Sequence, residues 1–458
     1  MASQEKNSRA RSGKISLPSK IFHPNEISNA DTNSRAGGIS RVSEATRVPE
    51  ITCTNDAPDT SKATRAPRTA RAAKTTDAPK ASRATKSARI PKFHRVLEIS
   101  RCDLSALSLV ANGGFGGSRA LLRPKKLSAA GINFIFSCAE AKKGETLALS
   151  LKEDAAKGEI VALIEVADVY LPSADEIRGS IFQNARAGVS AVEGEIRIIA
   201  DELKDKALQI QKIKNELQSP KISAFFTCAD PIHRVHERLM RHMIDKADLT
   251  VIFLTATAKP DALPAALRKK ALEYLLENFF VAQRVMLIDL SELEIFSDHD
   301  KPVLECIIAK NLGANKVVFG QKHKHIELFF DRGGMHTILD DFQRRGEIEI
   351  LLMPEYVYCE KCKVLVSVKN CPHGGHHHVH YRTQNLKTLL RAGILPPAIF
   401  MRKEISAMIL SELFPARFEN LQKLYDELFP NGGILQSHDE SEFYEQLMQL
   451  YQTSALKT

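Results

Sequence analysis

The sequence predicts an α/β protein in which a small β-rich domain precedes a Rossmann-like domain built on a parallel sheet, with a helical region at the end. Three observations carry that expectation. From residue 222 onward, apolar runs recur as ISAFFT (222–227), LTVIFLTA (249–256), RVMLIDL (284–290), KVVFG (316–320) and IEILLMP (348–354). Segments of helical period lie between them, such as HRVHERLMRHMIDKA and LPAALRKKALEYLLENFF. Near-continuous apolar strands alternating with helices imply a parallel sheet covered on both faces, with its chemistry at the carboxyl ends of the strands. Upstream, from Phe93, short apolar segments such as TLALSL (146–151) and EIVALIEVADVYL (159–171) are separated by Gly, Lys and Asp clusters, the texture of a β-rich domain.

Residues 1–92 are of another kind. They are rich in Ser, Thr, Ala, Arg and Lys without apolar periodicity, so a disordered basic tail is expected. The tail holds the charge: residues 1–90 carry 17 basic and 8 acidic side chains, and the rest of the chain carries 47 of each. A net charge of +9 therefore gives the folded part no global footprint for nucleic acid, which leaves the tail as the place for any such contact. Absence of Trp and scarcity of aromatics remove a stacking platform for single strands. No apolar run approaches the roughly 20 residues that span a bilayer, and the first twenty residues lack the apolar core of a secretory signal, so a cytoplasmic protein is expected. NGGFGG (112–117) falls short of a dinucleotide fingerprint because Arg119 stands where the third glycine would, so a glycine turn is expected.

The first candidate for chemistry is CADPIHRVH, between the first strand of the sheet and its helix. His233 and His236, three apart, would share one helical face at a helix N-terminus, where backbone N–H groups favour an anion such as a phosphate chain. This segment resembles the nucleotide site of the sulfate adenylyltransferase (ATP sulfurylase) family. Further landmarks follow in order: TATAKPDALPAALR with Lys259 and Arg268, AKNLGANKVVFGQKH with Gly320 and His323, and YCEKCKVLVSVKNCPH followed by LLRAGILPPAIFMRKEI. VADVYLPSADEIRGSIFQNARAGVSAVEGEI (166–196) is similar to the end of the family's PUA-like amino-terminal domain. The resemblance implies attack of sulfate on the α-phosphorus of Mg-ATP with release of pyrophosphate, in a homo-oligomer. His233 and His236 would be the catalytic pair, and they, Lys259, Gly320 and His323 would hold ATP.

The sulfate side departs from the family pattern. Gln-Thr-Arg-Asn is here Thr227-Cys228-Ala229-Asp230, and Gly-Arg-Asp-His is here Gly320-Gln321-Lys322-His323. Two arginines expected to hold sulfate are gone from Ala229 and Gln321, at about 2 to 3 kcal/mol per lost charge-assisted contact. Asp230 would repel a dianion, and Lys322, Lys324 or His325 would have to compensate. Two functions compete: a sulfurylase with a rebuilt site for sulfate or another small anion, and a nucleotide-binding relative that no longer activates sulfate.

Cys359 and Cys362 form a CxxC, and Cys371 follows in CPHGGHHHVH. Three thiolates and one histidine make the S₃N set of a structural zinc, with His376 first and His373 second for the fourth ligand. EISAMILSELF and FENLQKLYDELF give the helical C-terminal region. The expected organisation is tail 1–92, PUA-like domain 93–217, adenylyltransferase domain 218–400 and helical appendage 401–458.

Overall fold

The structure is a computed structural model that describes residues 95–116, 119–124, 132–153, 159–257, 259–294, 301–320, 328–331, 334–337, 347–418, 420–429 and 437–452. The expected tail, together with Gln321, Lys322, His323, Lys324 and His325, lies outside the described residues.

Five strands form the first sheet: β1 (Arg95–Ile99), β2 (Ala120–Leu121), β3 (Thr146–Leu151), β4 (Ile160–Tyr170) and β5 (Ala191–Ile198), in the order β1-β3-β4-β5-β2. Pairing is antiparallel except for β1 with β3. Two helices accompany it, α1 (Arg101–Ala111) and α2 (Ala174–Arg178), each opened by a reciprocal serine cap: Ser100 with Asp103, and Ser173 with Glu176. The glycine segment forms the expected turn, in which Gly113 and Gly116 take positive φ values of 73° and 79° that a side chain would resist.

After α3 (Glu202–Glu216) comes the parallel sheet. Its order of appearance is β6 (Ile222–Thr227), α4 (Arg234–Ile244), β7 (Leu249–Thr255), α5 (Ala265–Phe279), β8 (Val285–Leu290), α6 (Lys301–Asn311), β9 (Lys316–Gly320), a hairpin of β10 (Leu328–Asp331) and β11 (Gly334–Thr337), and β12 (Glu349–Met353). The spatial order is β12-β9-β6-β7-β8, all parallel. The chain thus builds outward from β6 through β7 to β8, then returns by α6 to lay β9 on the other side of β6. Such a reversal leaves a crevice at the carboxyl ends of the two strands that flank it, here β6 and β9.

Alternation along each strand divides the core. Ala224, Phe226, Val251, Phe253, Val317 and Phe319 face α6 and the first domain, and Phe226 stacks on Phe253 with ring centroids 4.3 Å apart. That core runs unbroken from Ile99 to Ile348, across the expected boundary at 217/218. Phe225, Ile252, Leu254 and Val318 face the opposite way, onto α4 and α5 and onto the later helices α7 (Thr383–Arg391) and α8 (Lys403–Leu413). Between β12 and α7 a small antiparallel sheet of β13 (Tyr356–Cys359), β14 (Val364–Ser367) and β15 (His378–His380) intervenes. The chain closes with α9 (Leu421–Leu428) and α10 (Glu440–Gln452).

Candidate active site and metal centre

Thr227 ends β6 on the crevice side, and the loop to α4 is held internally. Thr227 Oγ1 accepts the Ala229 N–H at 3.1 Å, and Ala229 sits at φ 46°. Arg268 of α5, which the resemblance matched to a family arginine, is buried as a strut. Its Nη1 donates to the carbonyls of Cys228 at 2.7 Å and Thr255 at 3.0 Å, and its Nε to that of Leu263 at 3.1 Å. One guanidinium therefore ties the ends of β6 and β7 to the start of α5, and five donors in a rigid fork suit that task.

Asp230 corrects the sequence reading. Its carboxylate does not point repulsion at an anion site: it is buried, Oδ1 accepts the Leu263 N–H at 2.9 Å, and Oδ2 lies 3.1 Å from Nζ of Lys387. Lys387, on α7, is equally buried and reaches Asp261 at 2.7 Å. Burial lowers the affinity of this ammonium for its proton, but the two carboxylates outweigh it and the net shift is upward. Sequence reasoning missed Lys387, whose partner Asp230 is 157 residues away.

His233 is the residue before α4, in extended conformation, and its backbone N–H donates to Nδ1 of His236 at 3.2 Å. With Nδ1 accepting, the neutral His236 ring carries its proton on Nε2. The two rings lie 3.9 Å apart, and Tyr381 flanks His233 at 5.6 Å while its hydroxyl donates to the Ile399 carbonyl. Nδ1 of His233 is buried with no hydrogen-bond partner. Desolvation drives His233 well below the usual imidazole value, with His236 adding to it, and desolvation brings His236 down to about 4. Both rings are neutral donors and acceptors at neutral pH.

Glu237 secures this turn from behind. The carboxylate, 6% exposed, accepts from Arg402 at 2.6 Å and Arg241 at 3.0 Å and pairs with Arg234 at 3.3 Å, while Arg402 also covers the ring of Phe279. Burial raises its pKa, and the arginines override that and hold it below the usual carboxylate value.

Lys259 is exposed in the loop after β7, and Gly320 ends β9, where an added Cβ would meet nothing within 4 Å. The structure thus brings Thr227, Ala229, Asp230, His233 and His236 into one loop and helix start and puts Gly320 at the end of the strand across the crevice.

Beyond β13 the thiols converge. Sγ of Cys359, Cys362 and Cys371 and Nδ1 of His373 all lie within 4.8 Å of one another. His373 Nδ1 is 3.2 Å from Cys362, 3.5 Å from Cys359 and 3.7 Å from Cys371, and the Cys362 and Cys371 sulfurs are 4.0 Å apart. Bonds of about 2.3 Å to sulfur and 2.0 Å to nitrogen in a tetrahedron give edges of roughly 3.5 to 3.8 Å, so the set fits zinc. The Cys362 N–H points at Cys359 Sγ at 3.4 Å. The nitrogen that lies among the three sulfurs is Nδ1 of His373, where the sequence put His376 first. His376 lies past Gly374, in the short turn Gly375–His377, with its ring 4.0 Å from that of His377.

The profile of the ATP-sulfurylase family matches residues 201–412. Over 207 residues, 45% of this chain and 53% of the relative, the sequence is 30% identical to a sulfate adenylyltransferase of Persephonella marina. It is 28% identical over 277 residues to one of Carboxydothermus hydrogenoformans, covering 59% of this chain and 72% of that protein. The chain spans about half the length of the Persephonella relative. Among solved structures, a hexameric APS kinase from Thiobacillus denitrificans shares the fold with a TM-score of 0.50 at 15% identity, covering 74% of this chain and 70% of that one. The part of the chain that matches the ATP-sulfurylase family, residues 201–412, is the part that carries the His233–His236 turn and the thiol cluster.

Proposed function

We propose that the protein is an adenylyltransferase of the sulfate adenylyltransferase type, which joins sulfate to the α-phosphorus of Mg-ATP and releases pyrophosphate. A sulfate oxygen forms the new bond to the α-phosphorus as the bond from that phosphorus to the α,β-bridging oxygen of ATP breaks and this oxygen leaves with pyrophosphate, so neither proton nor covalent enzyme intermediate is required. The protein's task is to hold two anions in line and to stabilise charge on the phosphoryl oxygens.

One observation carries the reading: two neutral, desolvated histidines at the start of α4, where the sheet reverses its strand order between β6 and β9. His236 Nε2–H offers a donor to phosphate oxygens, and His233, with an unpartnered buried nitrogen, gains a partner when a ligand arrives. Lys259 adds a charge from the β7 loop, and Gly320, with His323 shortly after it in the chain, completes the set for ATP. The Cys359, Cys362, Cys371 and His373 set would hold a structural zinc, which closes the β13–β15 sheet and supplies no step in the reaction. A reducing cytoplasm suits such thiolates. The first sheet serves as the PUA-like domain over 93–217, before the adenylyltransferase domain of 218–400 and the helical appendage of 401–458, in a homo-oligomer.

A second reading has its own observation. Residues 227–230 contribute no free cation to the crevice, because Ala229 has none and Asp230 is spent on Lys387. A relative that binds nucleotide without activating sulfate, or that adenylylates another acceptor, would show this. Pyrophosphate release from Mg-ATP, with and without sulfate, separates the two, with His233→Ala/His236→Ala as control. Sulfate-dependent release lost in the control supports the first reading. Nucleotide binding without any release overturns it.

A further inference from the structure

We propose that Lys387 is a positioning residue: shared between Asp230 and Asp261, it locks the loop that sets His233 and His236 at the phosphate site. The inference rests on the adenylyl-transfer reading and adds a residue to it.

The geometry is closed on every side. Nζ of Lys387 meets Asp230 Oδ2 at 3.1 Å, Asp261 Oδ2 at 2.7 Å and the Asp261 carbonyl at 3.2 Å. An ammonium has three donors, and all three are taken, so Lys387 is not available to a phosphate or sulfate. Its side chain is 1% exposed and that of Asp230 is fully buried. Asp230 Oδ1 takes the Leu263 N–H, and the Leu263 carbonyl is held by Arg268, whose other donors return to Cys228 and Thr255. The β6–α4 loop, the β7–α5 loop and α7 are thus cross-linked in a ring of polar contacts, with His233 three residues beyond Asp230.

A role in holding geometry explains the ring better than a role in stability. A buried ion pair is weak evidence for stability, because an apolar pair of similar volume often packs at least as well. What the ring supplies is direction, since each of its contacts constrains a loop at the carboxyl end of the sheet. A shift of about 1 Å in such a loop can cost roughly a hundredfold in rate with little effect on ground-state binding.

The test uses the full chain and two variants, Asp230→Asn and Asp230→Asn/Lys387→Gln. In the single variant an amide replaces the carboxylate, and one of its two contacts must become donor against donor. In the double variant the two amides can rebuild the ring without charge: the one at position 230 accepts from Leu263 and donates to the one at position 387, which in turn donates to Asp261. The expected result for the single variant is a fall in kcat for pyrophosphate release of about tenfold or more, with KM for Mg-ATP within about threefold; the double variant recovers to within about threefold of wild type. Long-range ¹H–¹⁵N spectra of histidine-labelled protein give a readout independent of turnover. His236, assigned with His236→Gln, should be a single Nε2–H tautomer in the wild type, mixed in Asp230→Asn and single again in the double variant.

If Asp230→Asn keeps both the wild-type kcat and the single tautomer, Lys387 only stabilises and the proposal is overturned. A wild type without pyrophosphate release would defeat the adenylyl-transfer reading, and the spectra would still decide the ring. Should Asp230→Asn not fold, Lys387→Arg is measured in the same two ways. A changed tautomer there supports the proposal, and an unchanged spectrum with unchanged kcat overturns it.

Discussion

The backbone N–H of His233 donates to Nδ1 of His236 across 3.2 Å, which makes Nε2 the protonated nitrogen of the neutral His236 ring. The bond is local, three residues long, and it orders the His236 ring through the backbone of His233, leaving the His233 imidazole out of the contact.

Desolvation of these rings gives a pH signature. Unfolded histidine titrates near 6.5, and His236 in the fold titrates at about 4, with His233 depressed as well. Between those values the unfolded chain binds more protons than the folded one, so stability falls as pH drops through the window. The melting temperature of His236→Gln should therefore fall less than that of the wild type between pH 7 and about pH 5. Equal slopes for the two proteins would mean that His236 is not desolvated as described.

Metal content discriminates the two histidines of the thiol cluster. His373→Ala should bind zinc more weakly and melt lower than wild type, whereas His376→Ala should keep one zinc per chain and its melting temperature. Chelation should reproduce the His373→Ala shift, because a structural site contributes its binding energy to folding. Metal analysis of the purified variants beside thermal melts checks this, and loss of zinc from His376→Ala would reverse the assignment.

Arg268 is expected to be among the costliest single positions in the parallel sheet. Arg268→Leu leaves the carbonyls of Cys228, Thr255 and Leu263 without their guanidinium donor, for a loss of about 3 kcal/mol or more in denaturant unfolding. Arg268→Lys should recover only part, since one ammonium lacks the fork that spans the three acceptors. A loss below about 1 kcal/mol in Arg268→Leu would show that water takes over the three carbonyls.

Asp261 carries a signature of the same sign at lower pH. Hydrogen bonds from Lys387 and Gln384 lower its carboxyl to about 2, against roughly 3.9 in an unfolded chain. Its contribution is present in full above the unfolded value and is lost as pH falls toward 2. The gap in melting temperature between wild type and Asp261→Asn should narrow between about pH 4 and pH 2.5. A gap that stays constant over that range would indicate that Asp261 is not paired with Lys387 in solution.

The parts of the fold that were legible in the sequence are those where one physical signal dominates. Strands β6 to β9 and β12 read directly because both faces of the sheet are covered and their residues are nearly all apolar. Helices α1, α3 and α7 did not stand out: α3 buries only Leu203 and Ile210 among its described residues, and α1 lies in a segment that otherwise reads as strands. For α1 and α3 the caps were available as signals, Ser100 with Asp103 and Asp201 before Glu202.

In the site, His233 and His236 were legible because their relation is three residues long. The pairing of Asp230 with Lys387 was not, since an acidic residue in a strand-end loop carries no mark of a partner on a distant helix. The same limit applied to His376 and His373, where composition offered five histidines in eight positions and only the turn at Gly374 distinguishes them.

The carboxylate of Glu237 answers to three arginines. In a saturation scan scored by growth or by folded yield, replacements there would be rejected as strongly as replacements of the histidines beside it. Intolerance alone would then mark Glu237 as an active-site acid. A scan of this protein separates chemistry from architecture only if it scores soluble protein and turnover as two different readouts.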